Sequence, residues 1–172
     1  MHGIPTWGYL YHEVIPRLNQ AGYRTIAPDF LGHGWSDRRD RFDRSFQTQA
    51  NMITALLNAL QLGPVDIVGH DTGGAVALTL AIEHSHCVNR LVITNSVCYD
   101  RFDDDMLDFG HPLRWKARPV VDLVEALEES LSAGLSRCDR LTPEFREGII
   151  APWASEEGKL SLLRNASALN AN

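Results

Sequence analysis

"VGHDTGGAVAL", Val68 to Leu78, decides how this chain is read. Asp71 stands between an apolar run, "VDIVG" at 65–69, and a helix-like run from Gly73 to Glu83. Ala75, Leu78, Ala81 and Ile82 are the expected apolar positions of that helix. A strand that turns straight into a helix crowds its own backbone. Gly69, Gly73 and Gly74 remove the side chains that would collide. The apex residue is then exposed above a sheet, with the helix N-terminus directed at it.

Working outward, Leu10, Val14, Ile15 and Leu18 recur at helical spacing between Tyr9 and Gln20, and Gly22 offers a stop. "YRTIAPDF", Tyr23 to Phe30, reads as a short strand whose ladder Pro28 limits. "LGHGWSD" is turn-like, and the mixed charges of "DRRDRFDRSF" read as a solvated loop. Met52, Ile53, Leu56, Leu57 and Leu60 form one stripe of a helix over 46–62, ended by Gly63 and Pro64. "VNRLVIT", Val88 to Thr94, is a third strand. Helices alternating with short apolar strands predict an α/β fold with a parallel sheet. Beyond Asn95 no further strand is expected. "VVDLVEALEESL" puts Val120, Leu123, Val124, Leu127 and Leu131 on one helix face. Thr142 and Pro143 are an N-cap and a first helical residue, and a last helix starts near Glu156. The expected division is an α/β part, 1–97, and a helical part, 98–172.

Composition narrows the classes. Of 172 residues, 44% are apolar and 22% charged, which suits one globular domain with a sizeable core. The net charge of −6 argues against nucleic acid as a partner. No apolar run approaches the ~20 residues that cross a bilayer, so no membrane association is expected. The first ten residues, "MHGIPTWGYL", lack a basic segment followed by an apolar one, so no signal peptide is read there. Cys87, Cys98 and Cys138 are odd in number, scattered and without metal-ligand spacing. A reduced, cytoplasmic protein without metal or cofactor is the expectation.

A strand–turn–helix apex flanked by glycines is the setting of a nucleophile elbow, here with Asp in place of the commoner Ser. No Ser in the chain has a G-x-S-x-G setting. With "HGIPTW" at His2–Trp7 and "APDFLGHGWSD" at Ala27–Asp37, in that order and spacing, the chain resembles the α/β-hydrolase superfamily. The similarity is to its haloalkane dehalogenase and epoxide hydrolase branch. The resemblance implies a partial α/β-hydrolase fold followed by a helical cap. It also implies that Asp71 attacks a saturated carbon of a small apolar substrate to give an alkyl–enzyme ester. An aspartate side chain is ordinarily anionic at neutral pH and needs no base for that step. Backbone N–H groups that map onto Ile4 and Thr72 would hold the oxyanion when water attacks the ester.

Blander roles stand beside these. Asp71 could be a helix N-cap, a position Asp favours; the glycines and the two companion segments favour the nucleophile. His2 is expected to brace its loop, and His33 and His70 to be structural. His84 and His86 have no ligand geometry. Trp7, Trp115 and Trp153 could line a pocket or sit in the core.

The family's pattern is departed from at two points that bear on substrate. Thr72 stands where dehalogenases usually have a halide-binding Trp, and Ile4 where many have Asn. The tyrosines end at Tyr99, so the helical part lacks those with which epoxide hydrolases usually hold the epoxide oxygen. "HGIP" fits the epoxide-hydrolase loop slightly better, and an ester substrate stays open. No residue matches the family's general-base His or its acidic partner, nor the strand before the "HG" loop. An internal piece of a longer hydrolase is therefore expected, with a gap in its sheet. The alternative is a non-catalytic remnant that binds a hydrophobic ligand or partner. The oligomeric state is not readable.

Overall fold

The structure is a computed structural model that describes residues 1–97, 111–115 and 117–169. Cys98 and Tyr99 lie outside the described residues. A 3-10 turn at Gly8–Tyr11 precedes α1, Val14–Gln20, where spacing had predicted one helix. α2, Phe46–Ala59, is capped by Ser45, whose Oγ accepts from Thr48 N–H at 3.3 Å. It stops before the expected Gly63–Pro64 pair. Gln61 turns left-handed (φ 54°), and Leu62 N–H closes back onto Leu57 O at 3.0 Å.

β1, Val65–His70, and β2, Val88–Thr94, run parallel and are joined by α3, Thr72–Glu83. Ile67 faces Leu91 in the register, and His70 faces Thr94. α3 buries Val76, Ala77 and Leu80, not the predicted stripe, and leaves Ile82 80% exposed. The helix is apolar nearly all round, so periodicity cannot choose its face. The glycines at its start choose it by letting the backbone approach the sheet.

The expected strand Tyr23–Phe30 does not form; those residues join no ladder. Among the described residues, the place beside β1 is taken by Met1, whose ammonium donates to Val68 O at 2.5 Å and whose carbonyl accepts from His70 N–H at 3.1 Å. Between β1 and the 24–28 segment lies a cleft of about 120 Å³, walled by Ile26, Pro28, Val65 and Ile67. A cleft thus stands between the two segments, and among the described residues Tyr23–Phe30 finds no strand to pair with and stays irregular.

The helical part contains α4 (Pro112–Trp115), α5 (Val120–Gly134), α6 (Pro143–Ile150) and α7 (Glu156–Ala168). Thr142 caps α6 as predicted, its Oγ1 accepting from Phe145 N–H at 3.2 Å. Two apolar clusters result. Phe30, Ile53, Leu57, Ile67, Val76 and Leu80 fill the first, between α2, β1 and α3. Trp115, Leu123, Leu127, Ile150, Trp153 and Leu162 fill the second, among the later helices. Ile4 packs against the second cluster from the other lobe. Among the described residues no helix is long and apolar enough to cross a membrane.

Candidate active site

Asp71 sits at the sharp bend between β1 and α3 with φ 54° and ψ −128°. A non-glycine residue in that conformation is held there against its preference by surrounding structure. Asp71 N–H lies 3.2 Å from Asn95 O, and Ser96 Oγ donates to Asp71 O at 2.9 Å. The glycines allow the bend. A Cβ on Gly69 would meet Gly73 O at 2.7 Å; one on Gly73 would overlap the Met1 and His2 carbonyls, and one on Gly74 would overlap Ser96 Oγ. The sequence reading of Gly69, Gly73 and Gly74 as space-makers therefore has a definite contact behind each.

The Asp71 side chain makes no capping bond to α3. Its half-buried carboxylate instead accepts from Ile4 N–H at Oδ1, 2.9 Å away. Gly3 lies so close that a Cβ there would overlap Asp71 Oδ1 and Cβ. Thr72 is buried at the first position of α3, and no side-chain cap bond links its N–H to the carboxylate. Of the two donors that the resemblance implied, Ile4 thus reaches Asp71 and Thr72 stands beside it.

The loop that carries Ile4 is braced from below. His2 is fully buried, its Nδ1 lies 2.9 Å from Gly3 O, and its Nε2 accepts from Phe30 N–H at 3.0 Å. A carbonyl only accepts, so Nδ1 carries the proton and Nε2 is bare: the ring is neutral. Burial holds its pKa well below the ordinary histidine value, and His33 nearby pushes it further down. The two rings are 5.1 Å apart, and burial brings His33 down to about 4. No described group bonds His33 Nε2. A cavity of about 20 Å³, the size of one water, adjoins His33, Ile4 and Thr72. His70 faces the backbone, with Nδ1 3.1 Å from Thr94 O.

The three candidate pocket tryptophans separate. Trp115 and Trp153 are buried in the second cluster, 1% and 0% exposed. Trp153 Nε1 donates to Pro5 O at 2.8 Å, and Trp7 Nε1 to the Gly148 and Ile149 carbonyls at 3.1 Å. Trp7 and Trp153 thus stitch the helical part to the 2–7 loop, Trp115 fills the second cluster, and none of the three walls the cavities described above.

Sequence reasoning missed Gly3, Thr6, Arg44 and Asn165. Asn165 Nδ2 donates to Gly32 O at 2.7 Å, and Ser161 Oγ to the same carbonyl at 2.8 Å. Arg44 donates to Asn165 Oδ1 and to Ser161 O, the latter at 3.1 Å. Gly32 (φ 81°) has no room for a Cβ against these groups. Thr6 was legible only as a neighbour of "HGIP"; Asn165 and Arg44, 121 positions apart, gave no local signal.

Known proteins resemble this chain in sequence and in fold. The "Haloalkane dehalogenase 1" of Mycobacterium tuberculosis is 38% identical over 96 residues, 55% of this chain and 32% of that relative. The cis-3-alkyl-4-alkyloxetan-2-one decarboxylase of Xanthomonas campestris pv. campestris is 29% identical over 176 residues, 95% of this chain and 58% of that relative. The chain thus spans between a third and three fifths of these relatives' lengths. An alpha/beta hydrolase fold protein from Burkholderia ambifaria superimposes with a TM-score of 0.83 at 21% identity, over 98% of this chain and 62% of that one. The family model for the alpha/beta hydrolase fold matches residues 1–130. With that match over most of its length, the chain belongs to the alpha/beta hydrolase fold family.

Proposed function

We propose that this chain carries the nucleophile of an enzyme that opens strained, oxygen-containing rings of small apolar substrates. Asp71 is the nucleophile, and residues 98–172 form the lid. One observation carries the reading. The Asp71 carboxylate is displayed at a strained bend, free of its helix, with Oδ1 held by Ile4 N–H and Oδ2 in no hydrogen bond among the described residues. Oδ2 attacks a ring carbon, and the carbon–oxygen bond opens. The electron pair stays on the ring oxygen, which takes a proton from water. The product is an ester of Asp71 whose carbonyl oxygen is Oδ1. Water then adds to the ester carbon, and charge returns to Oδ1, where Ile4 N–H already points.

The ring-opening class is favoured over alkyl halides by the residues at the site. Ile4 and Thr72 bring no side-chain N–H to a departing halide. One relative that matches across nearly the whole chain is named for an oxetan-2-one, a strained cyclic ester. An epoxide has the same electrophilic character. The test is intact-mass analysis after incubation with styrene oxide. One adduct, mapped to Asp71 and absent from Asp71→Asn, is the expected result. An unlabelled chain that binds the probe without an adduct would favour the non-catalytic reading.

A further inference from the structure

We infer that Thr6 is a positioning residue: its hydroxyl, acting through the Gly3 carbonyl, aims and strengthens the Ile4 N–H that holds Asp71. The inference rests on the reading of Asp71 as nucleophile for its chemical consequence, though not for its geometry.

Gly3 C=O and Ile4 N–H belong to one planar peptide group, so fixing one fixes the other. Three donors converge on Gly3 O: His2 Nδ1 at 2.9 Å, Thr6 Oγ1 at 3.0 Å and Thr6 N at 3.1 Å. Gly3 N–H returns a bond to Thr6 Oγ1 at 3.2 Å. The Thr6 hydroxyl therefore holds both the carbonyl and the amide of Gly3. Swinging Ile4 N–H away from Asp71 Oδ1 would break these bonds together. A carbonyl that accepts hydrogen bonds also polarises its peptide, and each such bond strengthens the N–H on the far side by ~10–30%. Ile4 N–H is thus a better donor than an ordinary amide.

Of the donors on Gly3 O, the Thr6 hydroxyl alone can be removed without touching backbone or the buried His2. Thr6→Val has the same shape; Thr6→Ser keeps the hydroxyl. The gain matters where charge builds on Oδ1, in ester cleavage rather than ester formation. Hydroxylamine supplies a nucleophile that needs no base. It attacks the ester carbon, leaves Asp71 as a hydroxamate and releases the alcohol.

The experiment has two arms on the full chain. In the first, the amide proton of Ile4 is followed by NMR in wild type, Thr6→Val, Thr6→Ala and Thr6→Ser. An upfield move in the Val and Ala variants, absent in Ser, is expected. In the second, the styrene oxide adduct is isolated and its loss to hydroxylamine timed by mass. Thr6→Val should slow cleavage about ten-fold, a fraction of what loss of a whole oxyanion donor costs. Thr6→Ser should match wild type, and all adducts should cleave alike once unfolded in urea. If wild type forms no adduct, the nucleophile reading fails and the NMR arm alone judges Thr6. An Ile4 resonance or a cleavage rate indifferent to Thr6→Val overturns the inference.

Discussion

Gly3 and Asp71 are in such close contact that no side chain fits between them: a Cβ on Gly3 would overlap the Asp71 carboxylate. The loop and the bend are therefore built as one unit. Gly3→Ala should push the carboxylate away from Ile4 N–H while both lobes stay folded. A misplacement of about 1 Å costs up to ~100-fold in rate. Labelling of Gly3→Ala by styrene oxide should fall by about that factor, with an unchanged far-UV circular dichroism spectrum. Labelling at the wild-type rate would mean that Asp71 does not react from its observed position.

A second expectation concerns turnover. Among the described residues no imidazole bonds the Asp71 carboxylate; His2 is committed to Gly3 and Phe30, and His70 to the backbone. With no imidazole at the carboxylate among the described residues, the ester should outlive the ring opening. The purified chain should release no more than about one diol per chain with epoxide in excess, the accounting of a single covalent event. Steady multiple turnovers, lost in Asp71→Asn, would refute this.

Asn165 ties the last helix to the Gly32 turn and also accepts from Arg44. It is only 3% exposed, and desolvation holds the Arg44 guanidinium below its ordinary pKa. Removing the amide takes one of two side-chain donors from the Gly32 carbonyl and one acceptor from the half-buried Arg44, and opens a buried polar gap between them. Asn165→Ala should cost about 1–3 kcal/mol of stability. The Arg164–Asp40 pair, 2.7 Å apart but exposed on both sides, should cost under about 1 kcal/mol when Arg164 becomes Ala. Urea titrations of the two variants compare these directly. Equal losses would mean that Asn165 is not a tie between lobes.

How much of this was readable beforehand follows from the range of each interaction. The bend was legible because its causes, three glycines around Asp71, lie within six residues. β1, β2 and the cap at Thr142 were likewise set by neighbours in sequence. Tyr23–Phe30 was misread because its propensity is that of a strand, yet a strand exists only if a partner stands beside it. The buried face of α3 escaped because an all-round apolar helix has no stripe to read. The Gly3–Ile4 donor was placed by resemblance, and its Thr6 bracing became visible only once the loop's hydrogen bonds were known. Arg44–Asn165 joins distant segments, and no local pattern encodes it.

Acid should unfold the chain through its buried histidines. His33 titrates near 4 when folded and near 6.5 when unfolded; His2 is depressed as well, both chiefly by burial. The unfolded chain therefore binds more protons than the folded one below pH 6.5. Stability from the neutral rings is complete above about 6.5 and drains away as pH falls toward 4. For His33 alone the loss over that window is on the order of 3 kcal/mol. Arg44 is the cation that disfavours a charged His33, while the Leu31 carbonyl favours it. Urea midpoints measured from pH 7.5 to 4.5 should decline, most steeply below 6, and His33→Gln should flatten the decline. A midpoint constant down to pH 4.5 would place both rings in water rather than beneath the Ile4 loop.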